Sequence, residues 1–174
     1  MNCVANGKLV RDNIFDSIWV QPAAGDAGGA LGAALGVWHK YLDKPRKVES
    51  GDAMRGSYLG PRFSDTQVAT FLESQAIPHQ QFASSQLNER VADLLNDGAV
   101  VGWFQGRMEF GPRALGNRTI LGDARYPDMQ KKMNLKIKFR EGFRPFAPAV
   151  LAEDVADWFD LRQSSPYMLI VAPV

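Results

Sequence analysis

Gly111-Pro112-Arg113-Ala114-Leu115-Gly116-Asn117-Arg118, flanked by Gly106-Arg107 and Glu109, combines the two residue types that an anion-binding turn needs. Arginine offers a planar fork of donors that matches phosphate oxygens, and glycine lets backbone N–H groups approach them closely. A second cluster runs from Asn134 to Pro148, where Lys136, Lys138, Arg140 and Arg144 stand among Phe139, Phe143 and Phe146. Apolar neighbours on either side of Arg144 are expected to remove water and strengthen its hold on an anion. From Phe104 to Pro148, ten of the twenty Lys and Arg face four carboxylates, leaving +6, whereas the rest of the chain has ten against fifteen, or −5. Because apolar residues alternate with these cations, the segment is expected to fold, and cations held in place by a core suggest an anion pocket. Each cluster also has a structural reading: arginines paired with surface carboxylates in the first, and last-turn cations at the negative end of a helix dipole in the second. Neither cluster is a Walker A loop or a GxGxxG fingerprint.

A third cluster, Gln21-Pro22-Ala23-Ala24-Gly25-Asp26-Ala27-Gly28-Gly29, is rich in glycine, which suggests close approach to the backbone. Asp26 suits either the N-cap of the following helix or a metal ligand with partners elsewhere. His39 and His79 are the only imidazoles and lack metal-ligand spacing, so a complete His-based metal site is not expected.

Around these clusters, helices and strands are expected to alternate, which favours an α/β or α+β sheet domain. Residues 2–42 read as strand, turn and helix, with an apolar run at Ser17–Val20 and an Ala- and Leu-rich helix over 27–42. The polar connector 43–63 carries the expected domain boundary, near residue 50. Ser64 with Gln67 forms a capping-box pattern, and a second helix runs from about Ser85 to a C′ glycine at Gly98. Ala99–Phe104, Arg118–Leu121, Ala147–Leu151 and Met168–Val171 are strand candidates, and helices are expected over 128–138 and around 156–159. The 174 residues, 45% hydrophobic and 22% charged, suit a water-soluble globular protein. A single Cys rules out an internal disulfide, and no signal peptide or long apolar span is present, so the expected compartment is the cytoplasm.

Three pieces resemble the carbamoyltransferase family that includes the nodulation and antibiotic-tailoring O-carbamoyltransferases: NCVANGKL at 2–9, QPAAGDAGGALGAAL at 21–35, and GRMEFGPRALGNRTIL followed by MNLKIKFREGFRPFAPAVL. The resemblance implies a remnant of an actin-like ATPase-superfold domain over 1–50 and a YrdC-like, mixed-sheet domain over 51–174. It also implies activation of carbamoyl phosphate with ATP and Mg²⁺ to carbamoyl-adenylate, then transfer of the carbamoyl group to an acceptor hydroxyl. Carried across by residue, Arg113, Lys138 and Arg144 look like the catalytic cations, with Arg107, Arg118 and Arg140 as further substrate-binding candidates. Asn2 and Gly25 fall in nucleotide-binding turns, and Asp26 looks like a ligand of the actin-like domain's iron or other divalent metal. The family's upstream HxxxH pair and Gly-Gly turn are missing, so the chain looks like an excised C-terminal piece, shortened at its end too. The implied partners are small molecules: carbamoyl phosphate, ATP and an acceptor alcohol. No membrane or nucleic-acid partner is expected, and a homodimer is left open. The alternative reading is a non-catalytic, basic RNA-binding module of YrdC-like fold.

Overall fold

The structure, a computed structural model, describes residues 2–48 and 50–174. Met1, and Glu49 within the connector where the boundary is expected, lie outside the described residues. The architecture is mixed α/β, with short helices and a small antiparallel sheet. Contacts divide the chain into two compact units, neither continuous in sequence: Met1–Gly60, Arg107–Leu115 and Ala149–Val174 form the first, Pro61–Gly106 and Gly116–Pro148 the second.

In the first unit, α1 (Cys3–Arg11) precedes the apolar run at Ser17–Val20, and Asn2 caps it: its Oδ1 accepts the Ala5 N–H at 3.0 Å. The C-terminal segment docks on α1. Asn6 Nδ2 donates to the Leu169 carbonyl at 2.9 Å, and the Val171 N–H reaches the Cys3 carbonyl at 3.3 Å. Gly7 permits this approach, since a Cβ there would stand 2.2 Å from the Val171 carbonyl oxygen. Met168–Val171 is therefore not a strand; its polar backbone groups are taken up by the helix. Ser17–Val20 is also irregular, with the Ile18 carbonyl accepting from Gln163 Nε2 at 3.3 Å.

The expected helix over 27–42 is split. Regular α2 (Asp26–Gly36) gives way to a wider turn over Val37–Tyr41, where the Leu42 N–H bonds five residues back to the Val37 carbonyl at 2.9 Å. No residue of α2 is buried. The unit closes with the short α6 (Val155–Trp158), which follows a single 3₁₀ turn.

In the second unit, α3 (Asp65–Ser74) opens on the expected capping box: Ser64 Oγ accepts the Gln67 N–H at 3.2 Å and Gln67 Oε1 accepts the Ser64 N–H at 2.8 Å. The next helix, α4 (Ser84–Asn96), ends before Gly98, whose φ of +76° is the left-handed value a C′ glycine supplies. Strands β1 (Val101–Phe104) and β2 (Arg118–Leu121) then pair antiparallel, Val101 opposite Leu121 and Phe104 opposite Arg118. The helix expected over 128–138 is shorter: α5 (Met129–Lys132) widens over Met133–Ile137, with the Lys138 N–H bonded to the Met133 carbonyl at 2.9 Å. Met129 and Met133 are buried against Gly122, and Ile137 is exposed. Ala147–Leu151 is irregular, consistent with Pro148 having no N–H for a ladder.

Candidate anion-binding loops

Arg113 rides on a loop that the first unit holds at both ends. The Phe110 N–H donates to the Ser57 carbonyl at 2.6 Å, and the Tyr58 hydroxyl donates to the Leu115 carbonyl at 2.7 Å. Inside the loop, the buried Glu109 accepts the Leu115 N–H through Oε1 at 2.7 Å. Arg107 Nη1 adds a bond to the Gly60 carbonyl at 3.0 Å, and Gly60 N–H returns one to the Met108 carbonyl at 2.9 Å. Gly111 has φ +109°, and a Cβ there would stand 2.4 Å from the Ala23 Cβ. Ala23, itself left-handed at φ +57°, also offers its carbonyl to the N–H groups of Gly25 and Gly28, both at 2.7 Å. The glycine-rich turn and the FGPRAL loop are thus in direct contact. The half-buried Arg113 keeps a buried Nε–H with no hydrogen-bond partner among the described residues. A guanidinium on a braced loop with an unused inward donor is equipped to take an oxyanion.

The second unit organises its cations around Asn134, which is 0% exposed. Asn134 Nδ2 donates to the Arg144 carbonyl at 2.8 Å and the Gly142 carbonyl at 3.3 Å, and its Oδ1 accepts Arg140 Nε at 2.7 Å. The Arg140 guanidinium lies 4.8 Å from the centre of the Phe146 ring, a cation–π contact. Lys138, Arg140 and Arg144 are thereby brought onto one short loop. The expected drying of Arg144 is not met: its side chain is 52% exposed and Phe143 is 76% exposed. The reason is local. The Arg144 carbonyl turns inward to Asn134 and Gln130, which sends the guanidinium outward to Glu141 Oε2 at 3.2 Å. The Glu141 carboxyl is held below its ordinary value by its own backbone N–H and by Arg144.

The remaining candidates occupy plainer positions. Arg118 is exposed on β2, Asn2 caps α1, and Gly25 stands at the N-cap of α2. Asp26 is the first residue of α2 and exposed, not its cap. No group of three or more His, Cys, Asp or Glu is arranged to hold a metal among the described residues. Of the five glycines from Gly25 to Gly36, only Gly28 has backbone at close range: a Cβ there would stand 2.5 Å from the Ala23 carbonyl oxygen. Asn134 and Glu109 lie within the two cation-rich clusters but their supporting roles, like those of Asp52 and Tyr167, are visible only in the fold. A polar residue at a helix position next to Met133 was the available signal for Asn134; the others depend on contacts distant in sequence.

Residues 1–35 match the family model described as the carbamoyltransferase N-terminus, and residues 92–174 match that of the carbamoyltransferase C-terminus. The chain belongs to the carbamoyltransferase family. The Ala23–Gly111 contact therefore joins a segment from each matched part. An uncharacterized protein of Synechocystis is 61% identical over 100% of this chain and 29% of its own length. Nodulation protein NolNO of Sinorhizobium fredii is 45% identical over 99% of the chain and 25% of its own. The 3'-hydroxymethylcephem-O-carbamoyltransferase of Streptomyces clavuligerus is 33% identical over 97% of the chain and 30% of its own. The chain thus spans about a quarter to a third of these relatives.

Proposed function

We propose that this chain supplies phosphate-binding groups of an O-carbamoyltransferase that makes carbamoyl-adenylate from carbamoyl phosphate and ATP and passes the carbamoyl group to an acceptor hydroxyl. The observation that carries the reading is the buried, unused Nε–H of Arg113 on a loop braced at both ends, in a carbamoyltransferase chain. Lys138 and Arg144 are proposed to hold phosphate oxygens in their own unit, with Arg140 fixed behind them by Asn134. The Arg144–Glu141 pair does not stand in the way. An exposed ion pair contributes about 0–1 kcal/mol, so little is lost when the guanidinium turns from the glutamate to an incoming phosphate.

Forming carbamoyl-adenylate joins a carbamate oxygen to the α-phosphorus of ATP and breaks the bond to the β-phosphate, releasing pyrophosphate. The phosphate of carbamoyl phosphate leaves as orthophosphate, which consumes one water. Cations positioned on phosphate oxygens stabilise the charge that develops, and no side-chain nucleophile is needed. ATP's Mg²⁺ would neutralise charge alongside them. The proposed architecture remains an actin-like remnant before a YrdC-like domain, with the boundary near residue 50. No observation favours the RNA-binding reading.

The test is pyrophosphate release by the full-length protein with both substrates present. Arg113→Ala is expected to lower kcat/KM by roughly tenfold to a hundredfold. Unchanged release would remove the assignment.

A further inference from the structure

We propose that Asp52 and Tyr167 are positioning residues for Arg113, acting through the left-handed turn Arg55–Ser57; the inference rests on the reading of Arg113 as a phosphate-binding group. Arg55, Gly56 and Ser57 have successive φ values of +49°, +69° and +64°. Glycine adopts this region freely, but arginine and serine do so only where their surroundings over-determine it. Asp52 and Tyr167 provide those surroundings. Asp52 Oδ1 accepts the Met54 N–H at 2.9 Å, and Oδ2 accepts the Gly56 N–H at 2.8 Å. The Tyr167 hydroxyl donates to Asp52 Oδ2 and accepts from the Gly56 N–H at 3.0 Å, reaching across 111 positions of sequence.

The residues leaving this turn are the ones that hold the Arg113 loop. Ser57, 1% exposed, gives its carbonyl to the Phe110 N–H, and Tyr58 gives its hydroxyl proton to the Leu115 carbonyl. Both ends of the loop are therefore referenced to a turn that Tyr167 and Asp52 close. Neither of the pair needs to meet substrate. Their effect on the guanidinium runs through backbone hydrogen bonds, which tolerate little displacement before they break. A misplaced binding group costs substrate affinity, whereas a clamp with a merely structural role costs thermal stability and leaves affinity alone.

Steady-state kinetics of the full-length protein with ATP and carbamoyl phosphate, together with amide exchange, decide the matter. Tyr167→Phe is expected to raise KM for carbamoyl phosphate roughly tenfold with little change in kcat, the equivalent of one lost hydrogen bond. Added to Arg113→Ala it is expected to do nothing more, because no guanidinium is left to misplace. Exchange at the Phe110 and Leu115 amides is expected to quicken in Tyr167→Phe while α1 stays protected, and Asp52→Asn repeats the pattern. Two results overturn the proposal: Arg113→Ala lowers kcat/KM while Tyr167→Phe does not, or the two effects add in full. If Arg113→Ala itself leaves kcat/KM unchanged, the phosphate-binding reading fails instead. The exchange at Phe110 and Leu115 then still reports whether Tyr167 holds the loop.

Discussion

Asn134 and Arg113 illustrate opposite ways of using a buried polar atom. Asn134 spends both ends of its amide on neighbours, so it sets the loop that carries Lys138, Arg140 and Arg144 without offering anything to a ligand. Asn134→Ala is expected to cost about 1–3 kcal/mol in denaturant unfolding, because partner groups lose their bonds and a cavity opens. Asn134→Asp keeps an acceptor for Arg140 but puts a carboxylate against two carbonyls, and is expected to be no better than alanine by the same measurement. Arg113 is the reverse case, with a buried donor left over. Arg113→Lys is expected to weaken binding of phosphorylated substrate, since a point charge cannot reproduce the guanidinium fork. Lys131→Ala, on the exposed side of α5, is expected to alter only the salt dependence. Isothermal titration with carbamoyl phosphate separates these outcomes.

Elements in this protein are short, and their ends carry much of the specification. The capping box at Ser64 satisfies two backbone groups of α3, so Ser64→Ala is expected to lower stability by about 1 kcal/mol in thermal unfolding. A harsher result is expected at Gly7. There an added methyl meets the Val171 backbone rather than a side chain that can swing away, so Gly7→Ala is expected to cost about 1–3 kcal/mol and to unseat Leu169–Val171 from α1. Limited proteolysis of the C-terminal segment reads this directly. The widened turns at Val37–Tyr41 and Met133–Ile137 are of the same kind: each closes on a hydrogen bond that reaches five residues back instead of four.

At the scale of the whole molecule, apolar surface and pH response are the measurable consequences. Leu35, Val37, Trp38 and Tyr41 are exposed along α2 and the turn that follows, with Tyr41 at 83%. Such a stripe favours association, so the 174-residue chain is expected to self-associate in sedimentation experiments, and Trp38→Glu to reduce it. The Asp52–Tyr167 pair sets two pH edges. Burial first, and then the bond to Asp52, push the Tyr167 phenol up from 10.0 to about 12. The folded state therefore holds this proton more tightly than the unfolded chain does. Its contribution is complete below pH 10.0 and lost as pH rises through about 12. Asp52 works in the other direction. The Tyr167 hydroxyl, and then the Gly56 N–H, hold its carboxyl below the usual range, so its contribution is present at neutral pH and lost as pH falls through the depressed value. Phenolate absorbance of the parent minus Tyr167→Phe is expected to show one high-titrating group; a difference curve centred near 10.0 would contradict it.

Much of this architecture follows from local rules that neighbouring residues can satisfy by themselves. The capping box at Ser64, the C′ glycine at Gly98, the strands at Val101–Phe104 and Arg118–Leu121, and the clustering of cations between Phe104 and Pro148 are all of that kind. Family membership was legible as well, because the motif residues are short contiguous runs. What local sequence did not decide is where backbone groups without a nearby partner would find one. Met168–Val171 has the composition of a strand but bonds to α1, and Ser17–Val20 meets Gln163, because a donor or acceptor far along the chain arrived where a neighbouring strand did not. Asn134, Glu109 and Asp52 belong to the same class. Their roles depend on carbonyls, amides or a hydroxyl brought to them by folding, and only the tertiary structure turned these polar residues into the supports of the two cation-bearing loops.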